Sequence, residues 1–142
     1  MQRINSRSWP YPFRPMAWEE VVARAREFTD ANPQLGVLME VIDSVRECGG
    51  QERLAGIWTL NGLVVTPLPI PADPPIQEVI VSLPRMGWGP TGDEVLIEHR
   101  AISGHDDRIV RPAAEAVPLF WRFMIEKFGI TPVRPDSAGA RS

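Results

Sequence analysis

The chain is poor in the groups that usually announce chemistry. Cys48 is its single cysteine among 142 residues, so no internal disulfide can form and a reducing compartment is the simpler assumption. A lone cysteine near a helix end reads as a buried thiol. There are only two histidines, His99 and His105. No apolar run approaches the roughly 20 residues that cross a bilayer. Residues 1–8 are polar and prolines follow at once, which is unlike a secretory leader. Cytoplasmic residence is the expectation. Charge of one sign is also missing: a net charge of -3, with acids and bases interspersed, gives no general pull toward nucleic acid or an anionic membrane.

What the chain does have is apolar content, 44% of the sequence, enough at this length for one domain with a real core. Residues 1–15 form an arm in which Trp9, Tyr11 and Phe13 alternate with prolines, and proline holds such a segment extended. Interleaved arginines allow a stacking arm for single-stranded nucleic acid, but a strap over the domain's own core is the plainer reading. A single domain spans residues 16–130, and residues 131–142, with almost nothing apolar, form a disordered tail.

Trp18, Val21, Val22, Ala25 and Phe28 fall on one face of a helix over residues 16–29. Asn32 can cap a second helix over residues 33–47, whose apolar set includes Leu38, Ile42 and Val45 and which Gly49-Gly50 ends. The period then changes to two. Residues 57–60 and 63–66 flank Asn61-Gly62, which predicts a two-residue type I′ hairpin with Trp58, Leu60, Leu63 and Val65 on the core face. Prolines between 67 and 75 break pairing. Strands follow over residues 76–83 and 94–102, and a short fifth over 108–111. Residues 112–117 and 118–128 form two helical pieces, or one kinked at Pro118. The fold class is therefore α+β: a four- or five-stranded antiparallel meander with an N-terminal helical hairpin and a C-terminal helix packed on it.

Motifs for chemistry are sparse. Gly87, Gly89 and Gly92 match G-x-G-x-x-G, but a strand follows where a dinucleotide site needs a helix, and the kinase companions are missing. No cofactor is expected. The loop instead displays Trp88, a residue type favoured at contact hot spots. His99, Arg100, His105 and Asp106 are the acid–base candidates, although a satisfied core histidine at His99 and turn residues at Asp106 and Asp107 are the plainer reading. Alternation puts His99 and Glu98 on opposite faces and His105 falls in a turn, so regular geometry gathers no metal ligands. No metal site is expected.

The last apolar run, residues 117–130, covers an arc of roughly 240° at 100° per residue, where a surface helix needs little more than 100°. Phe120 and Phe123 should pack on the sheet, leaving Trp121 and Ile125 as a contact surface. The favoured function is a small protein-interaction module of accessory, chaperone-like or neutralising kind, a homodimer or the partner of another protein. Dedicated chaperones and toxin-neutralising proteins share such an element order, an analogy of architecture that does not fix function. The alternative is a small-molecule or enzyme site in which Trp58, His99 and Arg100 line one pocket.

Overall fold

In the computed structural model, residues 14–32, 36–59, 62–72, 76–86, 89–90 and 93–133 are described. Two helices come first, α1 (Trp18–Ala31) and α2 (Val37–Glu47). Strands β1 (Leu54–Trp58), β2 (Gly62–Pro67) and β3 (Glu78–Ser82) follow, then a two-residue ribbon of β4 (Arg85–Met86) and β5 (Gly89–Pro90). The chain ends in β6 (Glu94–Arg100), β7 (Asp107–Pro112) and helix α3 (Ala116–Phe123), which widens into a π turn over Met124–Phe128. The main sheet has five strands in the order β1-β2-β3-β6-β7, every pair antiparallel. The α+β meander is therefore present with its fifth strand.

One face of the sheet carries the helices. Trp58, Leu63, Val65, Val79, Val81, Val95 and Ile97 point into a core shared with Val21, Ala25, Leu38, Ile42, Phe120 and Met124. The opposite face holds a smaller apolar group, Ala55, Val64, Ile76 and Ile80, with Ile57 and Ile70 against it. The alternation read from the sequence thus assigns the faces of β1, β2 and β3 as they stand.

The register differs from the expected hairpin. Trp58 pairs with Leu63, and Thr59 N–H donates to Gly62 O at 2.8 Å, so residues 60 and 61, outside the described set, separate the paired residues. Gly62 has no left-handed φ and belongs to β2. A Cβ on it would lie 2.9 Å from Val81 O, so glycine is needed there for the approach of β3. Sliding the pairing by two residues keeps every side chain on its face.

Helix boundaries show two further differences. Asn32 serves α1: its backbone N–H and its side-chain amide both donate to Phe28 O at 3.0 Å. The expected start of the second helix, residues 33–35, lies outside the described set, and α2 begins at Val37 after Gly36 with no side-chain cap. Two helical pieces are present, but they meet at Ala116 and not at Pro118: a 3-10 turn over Ala113–Glu115 precedes α3, which puts the proline in the first turn of α3, where a missing backbone N–H is tolerated. Gly129, at φ 70°, ends the helical run. The chain then returns along α2, with Val133 N–H donating to Cys48 O at 2.8 Å. The aromatic arm through Phe13 and residues 134–142 lie outside the described set.

Candidate functional site

The acid–base candidates do not converge. His99 points to the helix side of β6 and is 6% exposed. Its Nε2 lies 3.0 Å from Gln77 Oε1; a carbonyl oxygen only accepts, so Nε2 carries the proton. Nδ1 is buried and has no hydrogen-bond partner among the described residues. The ring meets Phe128 edge-on, centroids 6.0 Å apart. Lys127, from the same π turn, donates to Asp107, which pairs with His99 across β6 and β7. Burial lowers the pKa of His99 below 6.5, and nearby Lys127 adds to this, while Asp107 and Asp106 work the other way. A second ring proton, on buried Nδ1, would have no acceptor among the described residues. This is a neutral, packed histidine.

Arg100 is on the other face. There it stands opposite Glu78 in the β3–β6 register, and its Nη2 is 3.9 Å from Glu98, which also lies 3.8 Å from Arg108. His105 is exposed in the β6–β7 turn, its N–H donating to Ser103 Oγ at 3.2 Å. Asp106 Oδ1 accepts from Ala101 N–H at 3.1 Å and closes the same turn. Among the described residues no three His, Cys, Asp or Glu side chains gather as metal ligands.

Trp58 is three strands from His99 in the sheet order, roughly 14 Å at the usual strand spacing. It packs instead on Phe28, centroids 5.7 Å apart. With Phe28, Arg24, Glu27 and Thr59 it lines an open cleft of about 510 Å³. The pocket expected from Trp58, His99 and Arg100 is therefore not assembled: two of its members share a face but not a neighbourhood, and the third faces away.

The expected contact residues divide as well. Trp121 is 6% exposed; its indole N–H donates to Ser44 Oγ at 3.0 Å, and that hydroxyl donates to Val41 O at 2.7 Å. Helix α3 thus has two neighbours, the sheet and α2, which is why so much of its surface is apolar. Ile125 is exposed. Trp88 lies outside the described residues.

The surface that sequence reasoning passed over is β7. It sits at the end of the sheet order, and along it only Ile109 is partly covered. Val110 is 41% exposed on the outer face beside half-buried Leu96, its partner in register. The signal was present in Arg108-Ile109-Val110-Arg111-Pro112, an apolar pair between arginines with a proline after it, a composition typical of edge strands. Arg53 was also missed; its guanidinium bonds Gly49 O and Cys48 O at 3.4 Å and Thr131 O, pinning the returning chain. No local signal marked it. No family model matches the chain, no curated protein matches it, and no solved structure matches it.

Proposed function

We propose that the protein is a protein-interaction module whose contact surface is the β6–β7 side of the sheet, centred on the outer edge of β7. The observation that supports it is the contrast in cover: β1 is buried along nearly its whole length, while β7 is exposed at every residue but one. An edge strand presents a row of backbone donors and acceptors ready to pair with another chain. Val110 and Leu96 add apolar area next to that row, and Glu98, Arg100 and Arg108 rim it with charge. Such an apolar centre with a polar rim suits a modest protein contact. The acid–base candidates lend no comparable support to catalysis, since His99 and Arg100 face opposite ways.

The test uses the full chain, with a tag at the N-terminus. Light scattering across a concentration series and affinity capture should find a partner, the chain itself or another protein. Val110→Asp should lose that partner while leaving the thermal melt nearly unchanged. A chain that stays monomeric and captures nothing, with and without the substitution, would overturn the reading.

A further inference from the structure

The backbone of β7 restricts what can pair with it. Ala113 N–H donates inward to Asp93 O at 2.8 Å, and β7 runs in unbroken antiparallel register along β6. Backbone groups of successive residues in a strand point to alternate sides, and paired residues alternate between bonded and non-bonded. The odd-numbered residues of β7 therefore bond β6, and Arg108, Val110 and Pro112 direct their backbone groups outward. Pro112 has no N–H, so it costs the β6–β7 ladder nothing and offers an incoming strand only a carbonyl. The complete outward pairs belong to Arg108 and Val110. Arg111 Nη1 lies 3.3 Å from Val110 O and guards that acceptor while the edge is open.

We propose that two copies of this chain pair antiparallel along β7, about a two-fold axis through Ile109, so that two five-stranded sheets become one. This rests on the binding-module reading above and names the partner as a second copy. In that register Arg108 of each copy stands opposite Val110 of the other, and both pairs exchange their two backbone bonds. Ile109 meets its own counterpart at a non-bonded position. Asp107, already contacted by Lys127 of its own copy, stands opposite Arg111 of the second copy, twice by symmetry, so the guanidinium that guards Val110 O shares that carboxylate when it gives up the carbonyl. The long stem of Arg108 lies along the exposed Val110 opposite it.

Charge and proline select this register over its neighbours. Pairing must match outward residue with outward residue, so the alternatives lie one residue either way along the axis. An axis through Arg108 sets that arginine against its own copy, and like charges directly opposite destabilise a sheet. An axis through Val110 sets Arg108 against Pro112, which cannot donate. Only the axis through Ile109 satisfies both the backbone and the charges.

A charge exchange tests it. Sedimentation equilibrium of the full chain should give a monomer–dimer equilibrium. Arg111→Asp alone places two carboxylates opposite each other, and Asp107→Arg alone places two guanidinium groups so; each should weaken the dimer about tenfold or more, the scale of two reversed cross-strand pairs. Mixing the two variants restores both opposite-charge pairs and should recover a heterodimer that neither variant forms by itself. Thermal melts of each variant show that it is folded, and recovery on mixing cannot come from a damaged fold. A wild-type dimer that both variants keep unchanged overturns the proposal and leaves the binding-module reading standing. So does a monomer that captures a different protein in a Val110-dependent way. A monomer that captures nothing overturns both.

Discussion

At the β1 side of the sheet the chain has closed its own edge, and at the β7 side, among the described residues, it has not. Met16 N–H donates to Gly56 O at 2.9 Å, and Trp18 Nε1–H reaches Leu54 O at 3.2 Å. The indole ring of Trp18 lies so close over Gly56 that a Cβ there would be 2.6 Å from it. Backbone acceptors and apolar surface are thus covered by one short stretch of chain leading into α1. On the β7 side, cover over the helix face comes from α3 and its π turn, whose contacts there include Phe128 against His99 and Lys127 to Asp107. Among the described residues, the outer edge has Arg111 and Pro112 as guards. One side is therefore held mainly by packing and the other partly by titratable groups, and the two should respond to different insults.

Removing the cover on β1 should have the largest effect. Trp18→Ala takes a large buried ring from the core and uncovers Leu54 O, and such truncations cost about 3–5 kcal/mol, read as the shift of the urea midpoint at constant m-value. On β7, Val110→Thr should stay within about 0.5 kcal/mol, as exposed substitutions do. Equal losses at the two sites would remove the contrast. Gly56→Ala sharpens it, because the new methyl must displace a ring that is itself tied to Leu54 O; overpacking of this kind costs about 1–3 kcal/mol. Made in the Trp18→Ala background, the same change should cost much less, since the space has been vacated. A cost that is the same in both backgrounds would mean that Gly56 is glycine for some reason other than Trp18.

How far the sequence foretold this depends on the range of the interaction. Alternation was enough to sort Trp58, Leu63 and Val65 onto the core side, because a period of two is a local property; in β6 it separated the two faces without saying which one the helices cover. Gly62 was misread for the opposite reason. Asn-Gly is a turn signal, but the demand on Gly62 comes from Val81 O on the next strand, which nothing near residue 62 reveals. Trp121 was assigned to a contact surface because the excess of apolar residues on its helix was visible and the second neighbour, α2, was not. Its partner Ser44 is 77 positions away in sequence. Trp58, His99 and Arg100 were assigned to one pocket by their complementary chemistry, yet the strand order separates Trp58 from His99 and alternation turns Arg100 away. His99 as a packed core histidine was the plainer reading of the sequence; Gln77, which holds it, could be identified only from the fold.

The smallest expected effect is the one with a pH signature, and it belongs to the β7 side. The pKa of His99 in the folded chain is lowered from 6.5, by burial first and then by Lys127. The unfolded chain therefore binds the proton more readily than the folded one, and stability rises with pH wherever that difference holds. The contribution of neutral His99 is fully present above pH 6.5 and is lost as the pH falls from there through the folded value. Amide exchange should show opening that grows across that interval in β6, β7 and the π turn of α3, with β1 protected longer because its cover holds no titrating group in this range. His99→Gln keeps a hydrogen-bonding side chain beside Gln77 but cannot take up the proton, so it should flatten the pH dependence just below pH 6.5 while costing some stability at neutral pH. Unchanged pH dependence in that variant would show that the acid sensitivity of the β7 side lies elsewhere. In that case the contrast between the two edges would be one of packing alone.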